Sequence, residues 1–171
     1  MGDKYIAIMA SHRKNKFTEK YLDKYIEELV EDGNEVEKIS LRDYDIGICK
    51  ACGYCGRNYG KCCVEDDMQV LYEKLRKYRN FIFASPVYFN TVSSLAKIFI
   101  DRCQMLFECK YNYRKPWSDS EEKGRGIILS VAGACEYENQ FKGSEIILDA
   151  FFKNLNVEIV EHIKICETDF K

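Results

Sequence analysis

The chain has 171 residues, of which 46% are hydrophobic and 32% are charged. A chain of this length can bury a core, and we expect one domain over residues 1–171. The formal net charge is only −2, so neither a nucleic-acid partner nor an anionic membrane surface is expected. The apolar runs are too short to span a bilayer, and the first residues predict no signal peptide. We therefore expect a cytoplasmic protein, in which nine cysteines favour metal or redox chemistry over structural disulfides.

A strand, a polar loop and a helix are the first elements predicted along the chain. The apolar run Lys4–Met9 is followed by a polar segment, and apolar residues then recur at helical spacing from Phe17 to Val30. Backbone N–H groups and the positive end of a helix dipole converge in such a loop, so it suits a phosphate group. An ordinary polar turn fits the same residues. The side-chain donors in or beside the loop are Ser11, Arg13, Asn15 and Thr18.

Four more strands alternate with three more helices. Strands are predicted at Glu35–Leu41, Asn80–Ala84, Gly126–Val131 and Val157–Ile165. Helices are predicted from Met68 to about Arg79, from about Val92 to Leu106, and from Ser144 to Leu155. This alternation predicts the α/β class, with a doubly wound five-stranded parallel sheet in a three-layer α/β/α arrangement. Residues 107–123 are predicted to be an irregular insert that forms either a lid or a surface excursion.

Three loops are expected at the carboxyl ends of the central strands, where doubly wound sheets bind their ligands. The loop after the first strand suits phosphate. Residues 85–90 offer backbone groups and aromatic rings, and residues 132–138 include small side chains that let a flat ring approach. A phosphate group next to a planar ring describes a mononucleotide.

A cysteine loop at residues 49–63 lies between the second strand and the second helix. It contains five of the nine cysteines, with the spacing C-x2-C-x2-C-x6-C and with Cys63 directly behind. Its three glycines let the backbone curl so that several sulfurs converge. An iron–sulfur cluster, a structural zinc ion and thiols without metal all fit this spacing, which also leaves open whether Cys62 or Cys63 is the fourth ligand. Packing roles are predicted for the remaining cysteines, with a redox role near the flavin loop as the alternative for Cys135. These cysteines are Cys103, Cys109, Cys135 and Cys166.

Three segments occur in an order typical of one family. They are residues 11–18 (SHRKNKFT), the cysteine loop followed by residues 66–68 (DDM), and residues 85–89 (SPVYF) with Lys97 and residues 101–102 (DR). Together they resemble the flavodoxin-like NAD(P)H-dependent FMN reductases, and among these the iron–sulfur flavoproteins. His12 replaces the proline of the family's phosphate loop, and Lys16-Phe17 replace its Gly-Asn. The resemblance covers roughly the first 105 residues.

The resemblance implies a flavodoxin-like fold that binds FMN. It places around the phosphate group Ser11, Arg13, Asn15 and Thr18. The residues that it places on one side of the isoalloxazine are Pro86, Val87, Tyr88, Phe89 and Asn90. On another side it places Ala132 and Gly133. In the iron–sulfur branch, a [4Fe-4S] cluster is held by Cys49, Cys52, Cys55 and Cys62.

We therefore predict an oxidoreductase that transfers electrons between a reduced donor, FMN, and a [4Fe-4S] cluster or an external acceptor. NAD(P)H is a candidate donor, and donor and acceptor are small molecules or proteins. No side chain is predicted to be catalytic. Two alternatives remain open: an FMN electron carrier without cluster or nicotinamide turnover, and a zinc-stapled binding module. The family resemblance also implies a homodimer or a homotetramer.

Overall fold

The computed structural model describes residues 2–170, which contain one five-stranded parallel sheet. The strand order is β2-β1-β3-β4-β5, and every neighbouring pair is parallel. The strands are β1 (Lys4–Met9), β2 (Glu35–Ser40), β3 (Asn80–Pro86), β4 (Gly124–Val131) and β5 (Val157–Ile165). The predicted sheet is confirmed, and strand ends differ from the prediction by two residues at most.

Helices connect the strands. They are α1 (Phe17–Glu31), α2 (Met68–Lys77), α3 (Ser94–Arg102), α4 (Gln104–Phe107) and α5 (Lys142–Asn154). The long helix predicted from Val92 is divided near Cys103 into α3 and α4, and a π-helical turn at Glu108–Asn112 continues it. The first part of the segment predicted to be irregular is therefore helical, and residues 113–123 lead without regular structure to β4. Within residues 2–170, no helix has the length and apolar character that a bilayer span requires.

Both faces of the sheet are covered, as the continuous apolar sequence of β3 predicts. On one face, Leu22 of α1 packs against side chains such as Ile82 of β3. On the other face, α2, α3 and α5 share a core in which Phe83, Phe99 and Phe151 contact one another with ring centroids 5.7–6.2 Å apart. These aromatic contacts join β3 to two helices, and they hold the carboxyl end of β3 in place.

The strand order places a topological switch between β1 and β3. From β1 the chain passes to β2 on one side, and it later returns to build β3, β4 and β5 on the other side. The loops that follow β1 and β3 leave from the same edge of the sheet, because these strands are parallel. A ligand of this fold is expected at that edge.

Candidate functional site

The loops that follow β1 and β3 are held together by hydrogen bonds between buried groups. Ala10 N donates to Ala84 O at 2.8 Å, and Ser93 Oγ donates to Ala10 O at 2.6 Å. Ser93 N in turn donates to Ser85 Oγ at 3.0 Å. Both serines are almost fully buried. The predicted phosphate loop and the predicted ring-binding loop therefore have a fixed relative position.

The loop that follows β4 joins the same edge. Val87 N donates to Val131 O at 2.8 Å, and Tyr137 Oη donates to Asn90 Oδ1. A Cβ atom on Gly143 would lie 2.4 Å from Asn90 O, so this position requires glycine for close packing. The structure thus brings together the three loops that the sequence predicts.

The predicted phosphate loop combines buried and exposed side chains. Ser11 and Thr18 are buried, whereas Arg13 and Asn15 are exposed. Arg13 N donates to Ser11 Oγ at 3.2 Å, and Asn15 adopts a left-handed backbone with φ of 55°, which asparagine tolerates better than most residues. The side chain of Lys16, at the N-cap of α1, makes no capping hydrogen bond. The exposed guanidinium and the first N–H groups of α1 form an arrangement suited to an anion.

A buried ion pair, which local sequence patterns did not predict, contacts the backbone of this loop. Glu19 is 7% exposed; its Oε2 accepts from Asn15 N at 2.7 Å and its Oε1 accepts from Arg42 Nη2 at 2.7 Å. Arg42 Nη1 also donates to Ser11 O at 3.3 Å and to Arg13 O at 3.4 Å. In the sequence, each residue has the ordinary pattern of a surface charge beside a helix or strand. Their pairing becomes visible only in three dimensions.

This pair predicts a pH dependence of stability. Burial raises the pKa of Glu19, but Arg42, the N–H of Asn15 and Lys38 together lower that pKa from 4.5 to about 2. A carboxyl group whose pKa is lowered on folding stabilises the fold above its unfolded pKa, and that stabilisation is lost as the pH falls through its folded pKa. We expect the free energy of unfolding to decrease between pH 4.5 and about pH 2, with a smaller decrease for Glu19→Gln. Urea unfolding at a series of pH values measures both, and equal pH slopes would contradict the assignment.

An exposed aromatic turn follows β3. Tyr88 N donates to Thr91 O at 2.9 Å and Thr91 N donates to Tyr88 O at 3.1 Å, which closes a tight turn. Its two central residues, Phe89 and Asn90, have positive φ values of 49° and 62°. The Phe89 side chain is fully exposed, and a left-handed backbone is strained for an aromatic residue. Such strain occurs often at ligand-binding sites. Before the turn, Pro86 is buried and Val87 is half-buried.

The small residues after β4 pack against the turn at residues 168–170. Ala132 is buried, and its carbonyl oxygen accepts from Thr168 Oγ1 at 3.0 Å. Gly133 O accepts from Asp169 N at 3.1 Å, and a Cβ on Gly133 would lie 2.1 Å from an oxygen of the Asp169 carboxylate. Packing of the turn at residues 168–170 therefore already requires a small residue here. A contact of Ala132 and Gly133 with a flat ring stays a prediction.

The cysteine loop borders a cavity of about 480 Å³. All four predicted ligands line this cavity, namely Cys49, Cys52, Cys55 and Cys62. Within the described residues Cys63 is not part of the lining; it is exposed, and its Sγ lies 3.3 Å from Cys52 Sγ. No three Cys, His, Asp or Glu side chains in residues 2–170 are grouped so that they could hold a metal ion as they stand. The loop therefore places four cysteines along one cavity without gathering their thiols around a single point.

The segment predicted to be a lid or a surface excursion packs against the cysteine loop. The ring of Tyr59 lies 5.4 Å from that of Tyr113 and 5.9 Å from that of Trp117. Trp117 Nε1 donates to Tyr72 O at 3.1 Å, which fixes the indole on α2. Gly60 has φ of 68°, and a Cβ there would lie 2.3 Å from the Trp117 ring. Residues 113–117 therefore anchor the loop to the domain.

The remaining cysteines divide into two groups. Cys103 and Cys109 are buried in the core, which confirms their predicted packing role. Cys135 is exposed and Cys166 is only partly buried. The packing prediction is wrong for Cys135, because the chain has left the sheet when it reaches this residue.

One family model and several curated proteins match part of the chain. Residues 4–132 match the family model described as NADPH-dependent FMN reductase. An iron-sulfur flavoprotein of Archaeoglobus fulgidus is 38% identical over 99 residues, which cover 58% of this chain and 44% of that protein. An iron-sulfur flavoprotein of Methanosarcina thermophila is 34% identical over 103 residues, which cover 60% of this chain and 53% of that protein. The chain spans about half the length of the curated relatives it matches.

Solved structures share the fold at low sequence identity. An NAD(P)H:quinone oxidoreductase from Methanothermobacter marburgensis aligns with a TM-score of 0.75 at 15% identity, covering 98% of this chain and 85% of that one. An FMN-dependent NADH-azoreductase from Bacillus anthracis, solved in complex with FMN, aligns with a TM-score of 0.68 at 14% identity, covering 97% of this chain and 88% of that one. The predicted flavodoxin-like fold is thereby confirmed. By the family match, which spans most of the chain, the protein belongs to the NADPH-dependent FMN reductase family.

Proposed function

We propose that the protein is an FMN-dependent oxidoreductase that transfers electrons between a reduced donor, FMN, and a [4Fe-4S] cluster or an external acceptor. The observation that carries this proposal is the meeting of three loops at the topological switch, beside the N-terminus of α1. Membership of the FMN reductase family and similarity to proteins named iron-sulfur flavoproteins support the same conclusion.

The phosphate group of FMN is assigned to the loop after β1. Exposed Arg13 supplies the charge, and the first N–H groups of α1 supply donors with a favourable dipole. Buried Ser11 and Thr18 and exposed Asn15 complete the assigned set. The ion pair of Glu19 and Arg42 behind the loop keeps its backbone in one conformation.

The isoalloxazine is assigned to the turn after β3 and the loop after β4. Tyr88 and Phe89 are exposed at this edge, and an apolar ring surface would cover them. The full assigned set is Pro86, Val87, Tyr88, Phe89 and Asn90 with Ala132 and Gly133. When bound, FMN supplies both one-electron and two-electron chemistry, and the protein binds and orients it.

The cluster is assigned to Cys49, Cys52, Cys55 and Cys62. Four cysteines that line one cavity match the ligand number and type of a [4Fe-4S] cluster, which would supply single-electron transfer. Four thiolates also suit a zinc ion. The similarity to proteins named iron-sulfur flavoproteins favours the cluster.

The donor and the assembly are proposed from the family, and the location is proposed from the sequence. We assign NAD(P)H as the donor on the basis of the family description, with a small molecule or a protein as acceptor. A homodimer or homotetramer in the cytoplasm remains the expectation from the sequence.

Anaerobic titration with NADPH and with NADH tests this function. We expect at least one nucleotide to bleach the flavin absorbance of the FMN-loaded protein and to sustain turnover with ferricyanide as acceptor. Dithionite serves as the control that the bound flavin is reducible. A flavin that dithionite reduces but neither nucleotide reduces would contradict the enzyme and favour an electron carrier.

A further inference from the structure

One buried guanidinium joins the two ends of the cysteine loop. The side chain of Arg102, on α3, has no exposed surface. Its Nη1 donates to Gly47 O at 3.0 Å and its Nη2 donates to Val64 O at 3.3 Å. Gly47 lies just before the first cysteine of the loop, and Val64 lies just after the last. Arg102 therefore acts as a clamp that closes the loop at its stem.

A carboxylate completes the clamp. Asp66 binds the guanidinium of Arg102 through both oxygens, with Nη2 at 3.1 Å from Oδ1. The same carboxylate accepts from Gly47 N at 2.8 Å and from Met68 N at 3.0 Å, at the start of α2. A planar guanidinium paired with both carboxylate oxygens has a fixed orientation, which lysine cannot reproduce. Residues 47–66 are thus fixed at both ends to α2 and α3.

Arg102 is one of the residues that line the cavity bordered by the four cysteines, and its side chain lies beneath the cavity surface without exposed area. Its Nε is buried and has no hydrogen-bond partner among the described residues. The other charged side chains of the lining are Lys50, Asp101 and Glu108. Asp101 is paired with Lys97, and Glu108 accepts from Gln104 Nε2 at 3.2 Å. A buried cation at the stem of the cysteine loop suits a bound group whose total charge, with its thiolate ligands included, is negative.

We propose that Arg102 is a positioning residue for the anionic metal–sulfur group held by the cysteine loop. It fixes both ends of the loop, and its buried positive charge lies at the loop stem, where it favours the more negative, reduced form of the group. The nature of the group rests on the proposed function, whereas the clamp does not. Within the described residues, Asp66 is part of the clamp but not of the cavity lining, whereas Arg102 belongs to both, so the effect on the potential is assigned to Arg102.

Three variants separate position from charge. Arg102→Lys keeps the cation and loses the planar fork. Arg102→Gln combined with Asp66→Asn removes both charges, so that no buried charge is left unpaired. Lys97→Arg, on the same helix and not part of the cavity lining, keeps the charge that pairs with Asp101 and is the matched control.

Hydrogen exchange on the metal-free proteins is the first measurement. We expect the amides of residues 47–66 to exchange at least about tenfold faster in both clamp variants than in the wild type, because each loses contacts to the loop stem. The control is expected to match the wild type. Unchanged exchange in the double variant would overturn the clamp.

Anaerobic reconstitution with iron and sulfide is the second measurement. We expect both clamp variants to retain the group about 10- to 100-fold less well against a chelator. The reduction potential should become more negative in the double variant and stay near the wild-type value in Arg102→Lys. An equal potential in all proteins would overturn the role of the charge. If the wild type retains no iron or sulfide, the proposed cluster and the role of the charge both fail, and hydrogen exchange still decides the clamp.

Discussion

Replacement of Cys62 by serine is expected to abolish retention of iron and sulfide, whereas Cys63→Ser leaves retention near that of the wild type. The two residues are adjacent in sequence. Cys62 lines the cavity, whereas Cys63 is exposed and is not part of the lining. Serine oxygen is a poor ligand for iron in such clusters, so loss of one thiolate from the set is a large effect. Iron and sulfide per chain after anaerobic reconstitution give the result directly.

The adjacent pair provides its own control. Both variants change one sulfur to one oxygen, and both should unfold at nearly the same temperature when metal-free. Loss of the cluster in Cys63→Ser with retention in Cys62→Ser would show that the fourth ligand has been assigned to the wrong residue.

Replacement of Arg13 by alanine is expected to weaken FMN binding by about 10- to 100-fold. A hydrogen bond to a charged group contributes about 1.5–3 kcal/mol, and each 1.4 kcal/mol corresponds to about a factor of ten in affinity. Riboflavin has the same ring without the phosphate group, so its affinity should be unchanged in the variant. Equilibrium titration of the apoprotein with each flavin, followed by flavin fluorescence, measures both effects.

Lys14→Ala is the matched control for this prediction. Lys14 is exposed in the same loop, and its nearest carboxylate partner, Asp43, lies 3.9 Å away on the surface. We expect Lys14→Ala to reduce FMN affinity less than Arg13→Ala does. Equal losses of FMN and riboflavin affinity in Arg13→Ala would contradict the assignment of the phosphate to this loop.

Local patterns in the sequence were sufficient to predict the sheet. The apolar run of β3 and the helical spacing after Phe17 both reflect burial against neighbouring layers. The period of the apolar residues therefore indicates which segment is a strand and which is a helix. The break near Cys103 was not predictable in this way. The apolar residues Phe99, Cys103 and Leu106 continue at helical spacing across it, and all three are buried.

The ion pairs that stabilise the loops of the candidate site join residues that are distant in sequence. Glu19 and Arg42 are 23 residues apart, and Asp66 and Arg102 are 36 residues apart. Each of these side chains follows the ordinary pattern of a charged residue near the end of an element. The loops could therefore be located from the sequence, whereas the contacts that hold them became evident only once the fold had brought the partners together.

Joint analysis of flavin, iron, sulfide and zinc on one anaerobically purified sample, with its absorbance spectrum, tests whether the protein holds both FMN and a [4Fe-4S] cluster. We expect flavin absorbance bands, bound FMN, and about four iron and four sulfide per chain. Flavin without iron would support the FMN site and contradict the cluster. Zinc without flavin would contradict both assignments.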